Sequence, residues 1–356
     1  MRQTLFRVWL ERPWAGWTEV PGDVAHLGAG WVALVVIAGY GLFYLLSGQG
    51  HVLKEKGTWI GWAGFLMALT ALGLLGIVPA SFPIFGYGAM VLIGFAAAIG
   101  FSWSRAKAVG YDPDLILDAS FWLLIAGILG GRMAYLIQYA DLVFRKANHP
   151  GEVLFAFINL AEGGLVLIGA LVGGFLGFLA FCIKRKIDAL DFADLIIPAV
   201  FIGIGFGRIG CLLNGCCFGD RCELPWAITF PEGSLTYEVL AERGFVDREA
   251  PRTIPLHPTQ IYSSLNGFLL AVVTGTFYWY RKHRGVVFGM GCILYPLARI
   301  QLEFLRADEM GQLGTGLTIS QLYSLGILLV GVALVVTGRF RPLTRVHPFI
   351  ASPEPV

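Results

Sequence analysis

Charge is scarce in this chain. Asp, Glu, Lys and Arg make up 14% of its 356 residues against 56% hydrophobic residues, and 26 basic and 24 acidic side chains leave a formal net charge of +2. A soluble domain carries nearer a quarter charged residues, so the shortage excludes an ordinary water-soluble globule. A balance this close to neutral supplies no basic field, and no nucleic-acid partner is expected. No cleavable signal peptide is expected. The first long apolar run starts about thirty residues in, behind charged residues and with no small-residue cleavage site close after it, so it reads as a retained helix. Cysteine is sparse at 6, and no two have C-x-x-C spacing, which argues against a membrane thiol oxidoreductase.

Apolar runs fill the sequence instead, each long enough to cross roughly 30 Å of hydrocarbon. They lie near 31–48, 58–78, 86–103, 118–139, 164–183, 195–214, 261–280, 286–304 and 320–337, about nine spans in all. The expected fold is an all-α polytopic membrane protein. Its basic residues divide between alternating loops. Lys54, Lys56, Arg105, Lys107, Lys184, Arg185, Lys186, Arg281, Lys282, Arg284, Arg339, Arg341 and Arg345 crowd short connections and the C-terminal tail, while the opposite loops are about twice as long and hold fewer. The positive-inside rule makes the first set cytoplasmic, with the N-terminus and the 215–258 loop outside.

Three arginines interrupt the apolar spans: Arg132, Arg208 and Arg299. A guanidinium at a helix centre costs at least ~2.5–3.5 kcal/mol in hydrocarbon, so such residues face the bundle interior and carry function by default. Each lies late in a span running outward, which predicts convergence at one depth below the outer surface. Spans entering from outside bring Tyr87, Glu162 and the stretch His257 to Tyr262 to the same level. Tyr295, Arg299 and Glu303 recur at i, i+4 and i+8, with Arg306 at i+7 from Arg299, so the four share a helix face. Arg binds oxyanions bidentately and stays charged when desolvated, which suits a phospholipid phosphate or a departing phosphate. The structural alternative is an arginine–carboxylate network with Glu303, Glu162 or Asp118. Glycines around Arg208, and those from Gly163 to Gly174, permit close approach of a ligand or simply tight helix packing.

Cys211, Cys216, Cys217 and Cys222 crowd the outer end of the Arg208 span. Adjacent Cys216 and Cys217 are poor partners for each other, leaving Cys222 or Cys211 for any disulfide on an oxidising face. Four thiols can hold zinc, but their spacing fits no family of zinc ligands, so no metal or other cofactor is expected. The readings left open are a reactive thiolate and a small thiol used in packing.

The run from Gly207 through Arg208, Gly210, Asn214 and Gly219 resembles the signature G-R-x-G-N-F-x-N-x-E-x-x-G of the bacterial prolipoprotein diacylglyceryl transferases. Further similarities follow in order. Tyr87 and Gly88 resemble the family's Y-G; Gly131 and Arg132 its G-[AG]-R; Gly163, Gly164 and Gly169 its G-G-x-x-x-H-G. Asp194 keeps the family's spacing ahead of Arg208. His257, Pro258, Thr259, Gln260, Ile261 and Tyr262 resemble H-P-[ST]-Q-L-Y, and Tyr295, Arg299, Glu303 and Arg306 resemble Y-x-x-x-R-x-x-x-E-x-x-R. The likeness covers roughly 83–340. Three departures bear on the chemistry: Cys211 replaces Asn, Cys216 replaces Glu, and Ile168 stands where the glycine motif has His.

The resemblance implies seven core helices, with two extra spans in front. Residues 1–82 would form an N-terminal interfacial segment plus those two helices, 83–340 the core with its outer-facing loop 215–258, and 341–356 a cytoplasmic tail. It further implies transfer of a diacylglyceryl group from phosphatidylglycerol to the lipobox cysteine thiol of a prolipoprotein signal peptide, at the outer face of a bacterial inner (cytoplasmic) membrane. Catalytic roles then fall to Arg208, Arg299, Glu303 and His257, and substrate binding to Arg132, Tyr87, Tyr295, Asn214, Gly219, Gln260 and Arg306. Glu303, His257 and Glu162 are the candidate bases for the acceptor thiol. The alternative is a divergent homologue that binds lipid or transfers it to another acceptor.

Overall fold

The computed structural model describes residues 4–9, 14, 16–18, 25–29, 31, 32, 34, 81–141, 164–306 and 318–343. Apolar sequence in long unbroken runs leaves the backbone one way to satisfy its own polar groups in hydrocarbon, the α-helix. Seven helices among the described residues are long and apolar enough to cross a membrane. They are α1 (Gly86–Ala108), α2 (Asp114–Gln138), α3 (Leu167–Arg185) and α4 (Ala189–Asn214), followed, after a short helix α5 (Leu235–Glu242), by α6 (Thr259–Tyr280), α7 (Val286–Glu303) and α8 (Ile319–Val336). The spans expected near 31–48 and 58–78 fall almost wholly outside the described residues, as do Glu162 and Gly163. The apolar side chains of these helices point outward as well as inward: Leu167 is 73% exposed and Ile183 78%. Such a surface is matched to lipid rather than water.

The chain forms two compact units. One is Met1–Gly100, Val200–Val272 and Ile293–Leu329; the other is Phe101–Ala199, Val273–Cys292 and Val330–Val356. Helices α1, α4, α6, α7 and α8 each continue from one unit into the other, and α2 and α3 belong wholly to the second.

In the second unit α2 and α3 cross with almost no side chain between them. A Cβ on Gly169 would meet the Ala134 Cβ at 2.3 Å and the Gly130 carbonyl oxygen at 2.4 Å, so these glycines serve tight packing. The same unit buries Arg281, which donates to Asp194 and to Asp191 at 2.5 Å each. Asp194 also accepts from the backbone N–H of Gly285 (2.8 Å) and Phe288 (2.7 Å), satisfying donors at the start of α7. Arg105 donates to the Gly275 carbonyl at 3.0 Å and lies over the Tyr278 ring at 4.3 Å. Arg105 and Arg281, read from sequence as loop charges, are thus buried at helix ends. Asp118 pairs with Arg185, and so plays no part in an arginine network with Glu303.

The first unit adds strands that an all-helical reading lacks. β1 (Thr4–Trp9) pairs in parallel with β2 (His26–Gly28) and antiparallel with β3 (Ser81–Phe85), giving the order β2-β1-β3. The stretch Leu5 to Leu10, a candidate for lying along the interface or for disorder, is a central strand as far as Trp9. The 215–258 connection is folded too. Phe218, Phe230, Tyr237, Leu240, Val246 and Leu256 form a small core around α5. Ser234 caps α5, accepting from the Tyr237 N–H at 3.3 Å. The Thr236 hydroxyl donates to the Gly215 carbonyl at 2.7 Å, tying this core to the end of α4.

Candidate functional site

The site grows from the ends of α4 and α7 and the beginnings of α1, α6 and α8, all in the first unit. Arg208 lies one turn before Cys211 on α4. It is within electrostatic reach of Tyr295, Cys217, Cys211 and Arg306, and Arg299 of Arg306, Glu303, Arg208 and Tyr295. Of Arg132, Arg208 and Arg299, expected to converge, Arg208 and Arg299 come together, and Arg306 joins them. Arg132 belongs to the second unit, where it donates to the Gly164 carbonyl at 2.9 Å and stacks over Tyr135 at 5.1 Å.

The face-sharing of Tyr295, Arg299, Glu303 and Arg306 has a concrete result. Arg299 forms an ion pair with Glu303 one turn on, and donates through Nη2 to the Ser320 hydroxyl at 3.1 Å. Glu303, 5% exposed, also takes a hydrogen bond from the Thr318 hydroxyl at 3.0 Å and lies 3.9 Å from the Arg306 Nε. Part of the structural alternative is thereby realised: Glu303 fixes Arg299 in place. The balance is still positive, with three guanidiniums around one carboxylate, and no carboxylate pairs with Arg208 among the described residues.

Thr318 and Ser320 went unnoticed in the sequence, although a signal for them was present. Thr318 and Gln321 form a reciprocal capping box at the start of α8. The Thr318 N–H donates to Gln321 Oε1 at 3.0 Å, and the Gln321 N–H to Thr318 Oγ1 at 3.2 Å. The cap fixes the Thr318 hydroxyl so that its proton is directed at Glu303.

The H-P-[ST]-Q-L-Y stretch acts on the backbone of the cysteine turn. The Thr259 hydroxyl donates to the Cys217 carbonyl and Gln260 Nε2 to the Cys216 carbonyl, both at 2.8 Å. Gln260 is 1% exposed, and its Oε1 has no hydrogen-bond partner among the described residues. His257 accepts at its carbonyl from the Gly219 N–H (3.2 Å), and its ring Nδ1 is buried with no partner among the described residues. Gly219 is held to glycine by contact: a Cβ there would stand 2.6 Å from the His257 Cβ and 2.8 Å from the Leu305 carbonyl oxygen. Its bridge to Arg306 brings the α7 end beside the signature loop. Tyr262 accepts at its hydroxyl from the Trp226 indole at 2.6 Å.

Tyr87, at the start of α1, packs where a Gly210 Cβ would meet it at 3.1 Å, and interacts with Cys211, Cys216, Cys217 and Arg208. Asn214 ends α4 and hydrogen-bonds Cys216. The six cysteines are free thiols, and Cys211, Cys216 and Cys217 have their sulfurs within 4.8 Å of one another. Cys222 is buried apart from this trio, its N–H donating to the Pro255 carbonyl.

Tyr87, Arg208, Asn214, Gly219, His257, Gln260, Tyr295, Arg299, Glu303 and Arg306 thus lie in one unit, in an arrangement able to receive an oxyanion. Residues 74–337 match the family described as prolipoprotein diacylglyceryl transferase. The phosphatidylglycerol–prolipoprotein diacylglyceryl transferase of Clostridium tetani is 36% identical over 261 residues, 72% of this chain and 94% of that protein. A second such transferase, from Clostridium perfringens, is 36% identical over 70% of this chain and 90% of its own length. That from Burkholderia ambifaria is 34% identical over 72% and 92%. With a family match over most of its length and relatives this similar, the chain belongs to the prolipoprotein diacylglyceryl transferase family.

Proposed function

We propose that this protein transfers the diacylglyceryl group of phosphatidylglycerol to the thiol of a lipobox cysteine in secreted prolipoproteins, at the outer face of a bacterial cytoplasmic membrane. One observation carries the reading: Arg208, at the end of an apolar helix, has no carboxylate partner among the described residues and stands beside a second and third guanidinium. The names of the relatives point the same way. The sulfur attacks the glyceryl carbon bonded to the phosphate ester, the C–O bond breaks, and glycerol phosphate leaves with the bonding pair. Charge grows on the departing phosphate, where Arg208, Arg299 and Arg306 neutralise it. Glu303 orients Arg299, and His257 keeps a ring nitrogen uncommitted for the acceptor proton. Tyr87, Tyr295, Asn214, Gly219 and Gln260 shape the lipid end of the site, and Arg132 serves a second anionic contact.

The N-terminus is assigned to the outside and the C-terminus to the cytoplasm. The division of basic residues between alternating loops supports that assignment. The division into residues 1–82, 83–340 and 341–356 rests on the same topology. Incubating the purified protein with phosphatidylglycerol and a lipobox peptide should give a thioether product. Absence of product under both reducing and oxidising conditions refutes the proposal.

The replacements Cys211, Cys216 and Ile168 favour one competing reading, a member with a different acceptor. Retained phosphatidylglycerol binding, together with failure to complement a strain depleted of its own transferase, would select it.

A further inference from the structure

The cysteine turn has a geometry that packing does not require. After α4 ends at Asn214, Gly215 takes φ +66° and the chain doubles back, so that the Cys216 N–H donates to the Cys211 carbonyl at 3.1 Å. Cys217 then adopts φ +60°, a left-handed conformation that a non-glycine residue adopts only when its surroundings impose it. Two side chains from α6 impose it, Thr259 on the Cys217 carbonyl and Gln260 on the Cys216 carbonyl. The outcome is three sulfurs within 4.8 Å of one another. Four sulfurs around a zinc ion at about 2.3 Å stand about 3.8 Å apart, so small side-chain rotations close the trio onto one ion.

From this geometry we infer that Cys211, Cys216 and Cys217 form a three-thiolate site for zinc. The donor set is all sulfur, which suits a thiophilic d10 cation and excludes magnesium or calcium, ions that need oxygen ligands. Each thiol gives up a proton to solvent on binding, and zinc with three thiolates carries one net negative charge, which Arg208 beside it neutralises.

Three protein ligands leave one tetrahedral position open. On the transferase reading proposed above, the acceptor cysteine fills it. Coordination acidifies that thiol, His257 takes its proton as in the reading above, and the bound thiolate attacks the glyceryl carbon. The C–O bond to phosphate breaks, glycerol phosphate departs against the arginines, and the neutral thioether sulfur, a weaker ligand, leaves the ion. Two positions where the family signature has Asn and Glu would thus supply metal ligands in their place.

The test uses full-length protein purified in detergent under reductant, dialysed against zinc and then against buffer. Elemental analysis should find roughly one zinc per chain, and cobalt exchanged into the site should show sulfur-to-metal charge-transfer absorption. Cys217→Ser should weaken zinc binding on the order of a hundredfold or more, while Cys292→Ser should leave it unchanged. In wild-type protein, a thiol reagent should find three more reactive thiols after chelation than before, a readout independent of any variant's folding. Zinc well below one per chain, an undiminished cobalt band in Cys217→Ser, or a disulfide within the trio of anaerobically purified protein would each overturn the site. Transfer that proceeds in protein shown to be zinc-free would overturn the acceptor role and leave the transferase reading intact. Zinc binding without any transfer would leave the site standing and sink that reading instead.

Discussion

A guanidinium near the end of an apolar helix is stable only if something accepts its protons, and for Arg208 no described carboxylate does so. Its proposed ligand is the substrate phosphate, so Arg208→Ala should remove a contact that strengthens as the leaving group gains charge. Loss of one such preorganised donor typically costs 10²–10³ in rate, about 3–4 kcal/mol. Steady-state transfer kinetics should therefore show kcat falling by that order, and an unchanged kcat would remove Arg208 from the mechanism. Glu303 makes a different prediction, because one oxygen is held by Arg299 and the other by the Thr318 hydroxyl. Glu303→Gln keeps the shape and loses the charge, so transfer should slow about tenfold with its pH profile unmoved. Disappearance of the ascending limb would instead make Glu303 the base. The sequence exposed the arginines through their helical spacing, and the Thr318 cap was available as a T-x-x-Q pattern at the start of an apolar run. That Cys216 and Cys217 would face the same way was hidden, since neighbouring residues normally diverge and only the left-handed φ at Cys217 brings them together.

Seven helices were legible because a membrane span writes itself as about twenty apolar residues, and each described helix coincides closely with one such run. The sheet was not legible. β1 pairs with a strand more than seventy residues away, and Leu5 to Trp9 carries too few residues for its pattern to announce a partner. Nor did polar composition show that the 215–258 connection holds its own small core. At the α2–α3 crossing, glycine spacing was compatible with either packing or ligand approach, and the contacts decide for packing. Gly169→Ala puts a methyl 2.3 Å from Ala134 and 2.4 Å from a backbone oxygen, so the helices must separate. Overpacking of this kind costs about 1–3 kcal/mol, and the thermal midpoint in detergent should fall accordingly. Gly174→Ala on the same helix meets its nearest neighbour at 4.0 Å and should leave the midpoint where it was. The ion pairs joining α4 to the end of α6 offer a second contrast. Asp194→Ala leaves the buried Arg281 with Asp191 alone and the Gly285 and Phe288 N–H groups without their acceptor, and should destabilise by about 3–5 kcal/mol, whereas Asp118→Ala frees only a half-exposed Arg185 and should cost under about 1 kcal/mol.

For the molecule as a whole, the proposed chemistry depends on which side of the membrane the Arg208 end of the bundle faces, since lipobox precursors present their cysteine after export. Basic residues gather at one set of helix ends: α1 finishes with Arg105 and Lys107, and α3 with Lys184 and Arg185. Cations at a helix C-terminus are favoured by the backbone dipole whichever way the protein inserts. The bias acquires meaning because the last turns of α4 and α7, around Arg208, hold no basic residue. A direct measurement separates the two causes. Glu249 is an exposed residue of the 215–258 segment, and Lys186 is an exposed residue just after α3. Cysteine placed at Glu249 should react with a membrane-impermeant maleimide on intact spheroplasts, adding one label relative to the parent chain. Cysteine at Lys186 should react only once the membrane is opened. The reverse result would put the arginines on the cytoplasmic side, where an exported thiol cannot reach the phosphate they hold, and the proposed transfer would fail on topology whatever the site's chemistry.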